Sequence, residues 1–330
     1  MRKVNIAVLG CSSIAERSII PAIKENPSFM LKMVGSRTEE KGKNFAAKFN
    51  CEFGSYNDVI YSNEIEAVYL SLPSGLHYEW GRNILGQGKH LLMEKPFASN
   101  LDDAFELIQL AEQKGLIAME GLAYVFHPYL NKFMQLLNNG VIGEVRYLHS
   151  SFGFPYLPEN DIRNKPDIGG GAILDNLIYP LSFALDIFGP SYKRITSNII
   201  WNDQLKIDDR GFLKIDWLNV SANLNYGFGF FYQNFIELWG DKGVIRVDRA
   251  FTSPKDLPVE IKIENAEGKK TLEIEPANQF DLMLSAFFRK IMRKDDLEIN
   301  EKSSIKQRMS IISELYLKSR KHDKSVDFGI

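Results

Sequence analysis

Short apolar runs alternate with amphipathic stretches over about the first 120 residues of the chain. Val4–Leu9, Leu31–Gly35, Ala67–Ser71, His90–Met93 and Ile117–Met119 are compact runs rich in β-branched or large apolar residues, which predicts strands. Between them Ala15–Glu25, Thr38–Phe49, His77–Gln87 and Leu101–Lys114 place apolar residues at three- and four-residue spacing, which predicts helices. Thr38 and Asn100 stand at N-cap positions, and Gly115 follows Lys114 as a stop. Strand and helix in alternation call for a parallel sheet covered by helices on both faces, an α/β domain over residues 1–122.

Beyond Gly121 the texture changes to strands rich in aromatic and β-branched residues: Glu144–Phe152, Arg194–Trp201, Phe212–Trp217, Val220–Tyr226, Phe230–Trp239 and Val244–Val247. One long helix is expected near Ala172–Phe188. Clustered strands with few helices predict an α+β second domain over 123–330, built on a mostly antiparallel sheet with helices on one face.

Length agrees with two domains, since 330 residues exceed the roughly 250–300 at which a single core stops growing. Hydrophobic residues at 45% and charged residues at 25% describe an ordered globular chain. A net charge of −2 provides no basic field for a phosphate backbone, so nucleic acid is not an expected partner. Two cysteines, Cys11 and Cys51, form neither a disulfide framework nor a metal-ligand spacing, so no metal is expected and the composition fits a reducing cytoplasm. Met1-Arg2-Lys3 precedes an apolar run of only six residues, interrupted by Asn5, which suits a buried strand better than an export signal. No run reaches the roughly 20 apolar residues of a membrane span, and no membrane partner is expected.

Chemistry enters at the C-terminal ends of the predicted strands. Gly10-Cys11-Ser12-Ser13-Ile14-Ala15 leads from the first strand directly into a helix, where a dinucleotide pyrophosphate meets amide hydrogens and a helix N-terminus. Gly10 suits the tight turn and Ala15 the close helix–strand packing, whereas Ser12 replaces the glycine that ordinarily lets the pyrophosphate approach; its hydroxyl is a candidate phosphate donor. The second strand ends without the acidic residue that would bind an NAD ribose. Ser36, Arg37 and Lys41 offer instead a hydroxyl and two cations suited to the 2′-phosphate of NADP, and the alternative is an ordinary solvated face shared with Glu39 and Glu40. Leu72-Pro73-Ser74-Gly75-Leu76-His77 and Glu94-Lys95-Pro96 follow later strand ends, where open parallel sheets bind ligands.

These segments, with Gly169-Gly170-Gly171-Ala172-Ile173-Leu174-Asp175-Asn176-Leu177-Ile178-Tyr179, occur in an order that resembles the glucose-fructose oxidoreductase, inositol dehydrogenase and rhizopine catabolism (Gfo/Idh/MocA) family, across essentially the whole chain. The resemblance implies a Rossmann domain followed by a domain with a large open-faced sheet, assembled through that sheet into homodimers or homotetramers. It assigns catalysis to Lys95, Asp175 and Tyr179, the last two one helical turn apart. Tyrosine at 179 is similar to the glucose-fructose oxidoreductase, dihydrodiol dehydrogenase and sugar ketoreductase branches, and the Gly-Cys-x-x-Ile-Ala opening to NADP-dependent reductases of C-3 keto groups on nucleotide-linked deoxysugars.

In that chemistry a hydride adds to the ketone carbon while Tyr179 protonates its oxygen, helped by an ammonium such as Lys95, which favours the phenolate form. Asp175 then holds the substrate or its neighbours. His77 is expected on the cofactor side. Glu120, Tyr124, Phe154, Tyr156, Arg163 and Asn176 are candidates to line the substrate cleft, with strand-core packing as the alternative for the aromatics. The expected activity is NADPH-dependent reduction of a sugar-type ketone; an aldose or dihydrodiol dehydrogenase and a noncatalytic dinucleotide sensor are the other readings of the same pattern.

Overall fold

The computed structural model describes residues 2–293, 299–319 and 325–329. Its first sheet holds β1 (Val4–Leu9), β2 (Phe29–Gly35), β3 (Glu52–Gly54), β4 (Ala67–Leu70), β5 (His90–Met93) and β6 (Ala118–Glu120) in the spatial order β3-β2-β1-β4-β5-β6, all parallel. All of β4 and nearly all of β1 are buried, which is why both read as unbroken apolar runs: helices cover each face of such a sheet. The strand order reverses between β1 and β4, and the crevice at that reversal lies at their C-terminal ends.

Five helices belong to this sheet: α1 (Ile20–Glu25), reached through a π-helical turn at Ala15–Ile19, α2 (Glu39–Phe49), α3 (Tyr56–Tyr61), α4 (His77–Gly86) and α5 (Leu101–Lys114). The Asn100 side chain accepts the Asp103 N–H at 2.9 Å, and Gly115 ends α5 at φ 63°, as the caps predict. Thr38 precedes α2 without a side-chain cap bond. Ser55 and Asp58 instead form a reciprocal capping box that starts α3, a helix too short for its periodicity to stand out in the sequence.

The second sheet runs β14-β13-β12-β11-β7-β10-β9-β8-β15. Its strands are β7 (Val145–Phe154), β8 (Arg194–Asn202), β9 (Ile207–Asp216), β10 (Ser221–Phe228), β11 (Gln233–Gly240), β12 (Gly243–Asp248), β13 (Val259–Asn265), β14 (Gly268–Ile274) and β15 (Ser325–Gly329). Only the central pair, β7 with β10, is parallel. Buried and exposed positions alternate along β13, so one face of the sheet is apolar and the other polar. Helix α6 (Pro128–Asn138) precedes β7, and α7 (Ile178–Phe188) lays Ile178, Leu181 and Leu185 into the core. Segment Pro166–Phe188 is long and apolar enough to cross a membrane, yet 72% of its apolar window is buried, as in a core helix.

Two helices follow, α8 (Gln279–Arg293) and α9 (Ile299–Ser319). The chain divides into one compact unit of Met1–Leu122 with Phe280–Met309 and another of Ala123–Gln279 with Ser310–Ile330, so the expected second domain of 123–330 yields 280–309 to the first. The reason is packing. Phe29 on β2 meets Phe287 and Phe288 of α8 at 6.3 and 5.8 Å between ring centroids, and the Asn26 amide donates to Asp281 at 2.7 Å and Ser285 at 3.0 Å.

Candidate active site

In the first unit the turn after β1 is shaped by Gly10. Its φ is 110°, and a Cβ there would lie 2.4 Å from the Ser71 carbonyl oxygen, so no side chain fits at this turn. The Ser12 hydroxyl accepts the Ala15 N–H at 3.1 Å and lies 2.6 Å from the Ser71 hydroxyl. Ser12 is thus built into the turn, tying the β1 loop to the β4 loop. Cys11 is buried, which pushes its thiol up, while Ser13 and Ile14 complete the entry into the π-helical turn. At the end of β2, Ser36 is buried and accepts the Thr38 N–H at 3.3 Å, whereas Arg37 and Lys41 are exposed. Lys43 pairs with Glu39 at 2.5 Å; Arg37 and Lys41 make no ion pair among the described residues. The open turn and two available cations fit a dinucleotide that carries a 2′-phosphate.

The loops after β4 and β5 meet at His77. Its Nδ1 lies 2.8 Å from the Pro96 carbonyl oxygen and its Nε2 2.8 Å from that of Leu72, with no part of the residue exposed. Pro73 leads into the short turn that starts α4. Tyr69 donates its hydroxyl to Glu94, and the following Lys95–Pro96 peptide is cis. Lys95 is half-buried and Pro96 buried. Glu120 does not face open space: it is buried, accepts the Phe97 N–H at 2.8 Å, and pairs with Arg308 of α9.

In the second unit the triple glycine is a packing device. A Cβ on Gly170 would lie 2.5 Å from the Arg163 carbonyl oxygen, and one on Gly171, at φ 119°, 2.2 Å from Asp208 Oδ1. Asp208, on β9, accepts the Ile173 N–H at 2.5 Å and the Tyr316 hydroxyl at 2.9 Å, so a buried carboxylate sits at the start of the helical run. Burial pushes that carboxyl up to about 7 against the pull of its donors. The run opens with a π-helical turn over Ile173–Leu177, which bears Asp175 and Asn176, and passes into α7, which bears Tyr179.

Arg163 donates through Nε to Asp175 Oδ2 at 2.7 Å and through Nη1 to Asp161 Oδ1 at 3.2 Å, and the two carboxylates hold its guanidinium firmly charged. Asn176 is fully buried and donates to the Phe152 carbonyl at 3.2 Å, which makes it a support of the wall. The ring of Tyr179 is packed by Tyr124, Phe152 and Phe251 at centroid distances of 6.1, 5.1 and 5.6 Å. Tyr124 is itself buried. Beside this cluster an open cavity of about 500 Å³ is lined by Phe152, Phe154, Tyr156, Arg163, Tyr232 and Thr252, among others. Aromatic walls with an arginine and hydroxyls suit a ring that carries polar substituents.

Of the residues expected in the substrate cleft, Phe154, Tyr156 and Arg163 line this cavity, Asp175 reaches it through Arg163, and Glu120, Tyr124 and Asn176 are buried supports. Asp208, Tyr232, Phe251 and Thr252 were missed. The adjacent pair Asp208-Asp209 in β9 was the one available signal, because two neighbouring acids in a strand point to opposite faces and one must turn toward the core.

Comparison with known proteins agrees with this fold. Residues 4–122 match the GFO_IDH_MocA oxidoreductase family with an NAD-binding Rossmann fold, and residues 130–246 match the GFO/IDH/MocA C-terminal domain. A dTDP-3,4-didehydro-2,6-dideoxy-alpha-D-glucose 3-reductase from Saccharopolyspora spinosa is 36% identical over 88% of this chain and 89% of the relative. A protein of the same name from Streptomyces antibioticus is 33% identical over 86% and 88%. KijD10, a 3-ketoreductase from Actinomadura kijaniata solved with NADP and TDP-benzene, superposes with a TM-score of 0.91 at 28% identity, covering 94% of this chain and 96% of that one. Matched by a family model over each of these two ranges and 36% identical to a relative across most of its length, the chain belongs to the Gfo/Idh/MocA oxidoreductase family.

Proposed function

We propose that the protein reduces a keto group, at C-3, of a nucleotide-linked sugar with NADPH. The observation that carries this reading is the 36% identity to a dTDP-sugar 3-reductase over 88% of a chain that itself bears Lys95, Asp175 and Tyr179. Gly10 to Ala15 hold the pyrophosphate of the dinucleotide against the helix N-terminus, and Arg37 and Lys41 its 2′-phosphate. When bound, the cofactor supplies the hydride. Tyr179 gives its phenolic proton to the carbonyl oxygen, Lys95 stabilises negative charge developing there, and Asp175, fixed by Arg163, orients the sugar.

The cavity beside Tyr179 supports a sugar-type substrate, since its aromatic walls stack on a ring face while Thr252 and Arg163 offer polar contacts. The reading extends to a cytoplasmic homo-oligomer joined through the second sheet, supported by the 62% exposure of Trp239 on β11. Purified protein with NADPH, offered keto-sugars free and dTDP-linked, should consume reduced cofactor fastest with a dTDP-linked 3-keto sugar. Consumption on none of them, with NADPH bound, would favour a dinucleotide sensor; oxidation of aldoses with NADP in their place would favour an aldose dehydrogenase.

A further inference from the structure

The contacts of the peptide group that joins Pro96 to Phe97 are unusual. Its carbonyl oxygen faces His77 Nδ1 at 2.8 Å, and its N–H donates to Glu120 Oε1 at 2.8 Å. The far side of the imidazole, Nε2, lies 2.8 Å from the Leu72 carbonyl oxygen, and the far oxygen of Glu120 takes the Arg308 guanidinium. His77 is wholly buried, and Glu120 and Arg308 nearly so. A row of hydrogen bonds therefore crosses the first unit from the β4 loop to α9, with one peptide group at its centre. That peptide begins one residue after Lys95.

The ring of His77 faces two carbonyl oxygens, and a carbonyl oxygen only accepts. A neutral imidazole has one N–H, so it would leave one nitrogen lone pair pointed at an oxygen lone pair at hydrogen-bond distance, without water to intervene. An imidazolium donates at both ends. We propose that His77, as an imidazolium, and Glu120 clamp the two sides of the Pro96–Phe97 peptide and act as positioning residues for Lys95. The proposal rests on Lys95 having the role given above.

Burial, with a smaller push from the nearby Lys95 ammonium, holds the His77 imidazolium below its ordinary range, and the two carbonyl contacts pull the other way. On the far side Glu120 faces Arg308, with Glu301 and its partner Lys290 nearby. Because the cationic form makes both contacts, the clamp is complete at low pH and loses one bond as pH rises through the His77 transition. Neither group touches substrate in this scheme; they fix the backbone from which the lysine reaches out.

The test has two independent arms. In full-length protein labelled with ¹⁵N-histidine and saturated with NADP, with His77 assigned by its loss in His77→Gln, both ring nitrogens should be protonated at pH 5, and one of them should lose its proton as the pH is raised. A spectrum with one unprotonated nitrogen at pH 5 would overturn the imidazolium. In steady state with NADPH and a dTDP-linked 3-keto sugar, His77→Gln and Glu120→Gln should each lower kcat about tenfold or more while NADPH affinity stays within about threefold. His77→Gln should also abolish a fall in kcat at higher pH that the wild type shows, and amide exchange in the segment 94–98 should quicken in both variants. Unchanged kcat and exchange would overturn the clamp. Absence of turnover in the wild type itself would refute the assigned activity, and the NMR and exchange results would still decide the clamp.

Discussion

Arg163 and Asp175 are joined by a hydrogen bond of 2.7 Å from Nε to Oδ2, which ties the segment before the triple glycine to the π-helical turn that leads to Tyr179. It holds the Asp175 carboxylate against Arg163, a residue that lines the cavity. Arg163→Ala is expected to lower kcat/KM for a keto-sugar about tenfold or more, the usual worth of a charge-assisted bond at a site with little water. NADPH affinity is expected to hold. Steady-state kinetics with a fluorescence titration of the cofactor check both, and equal kcat/KM in the two proteins would remove Arg163 from the site.

Tyr179→Phe keeps the ring that packs on Tyr124, Phe152 and Phe251 and deletes only the phenolic oxygen. Thermal unfolding should scarcely change, and turnover should fall by roughly a hundredfold or more, as expected for loss of a general acid. Full turnover in the variant would reassign the proton donor.

Arg37 stands exposed at the end of β2 and, like Lys41, makes no ion pair among the described residues. Arg37→Ala should weaken NADPH roughly tenfold and leave NADH unaltered, because only NADPH carries the phosphate. Equal weakening of both cofactors, measured by titration, would point to the loop fold in place of the phosphate.

Asp208 is the group whose titration bears on stability. Its carboxyl is raised from 3.8 to about 7 in the folded protein, so the native state binds more protons than the unfolded chain between those values. Its contribution therefore diminishes as pH rises from about 4 to 7 and is flat above. Urea unfolding of the wild type and Asp208→Asn at pH 5 and pH 7 should show the wild type losing more stability between the two. Parallel losses would mean that the carboxyl is already ionised at pH 5.

The longer elements of the first unit were legible up to Met119, because a sheet buried on both faces writes unbroken apolar runs and the loops between them carry cap residues with one physical purpose each, whereas β3 and α3 were too short to be read. Thr38 shows the limit: residue type marks a cap position, but whether the side chain turns inward depends on neighbours the sequence does not place. Strands of the second sheet were legible through Val247 and not beyond, since β13 and β14 bear mostly charged residues on their outer faces. The site divided in the same way. Glycines and strand-end residues gave themselves away by spacing, whereas Glu120 and Asp208 act through burial and partners 188 and 35 positions away, and Asn176 through a backbone oxygen of another strand. Long-range pairing leaves no periodic trace.

The return of Phe280–Met309 to the first unit has a consequence for how the chain is made. A ribosome that has delivered the whole six-stranded sheet has delivered neither the rings that cover Phe29 nor the guanidinium that neutralises Glu120, because these come from Phe287 and Arg308. The nucleotide-binding portion must wait through synthesis of strands β7 to β14 for its last wall, an interval of more than a hundred residues at roughly 5–20 per second. Chain termination anywhere before α9 would strand a buried acid without its counterion, so translation through Arg308 is itself a condition for a sound first unit.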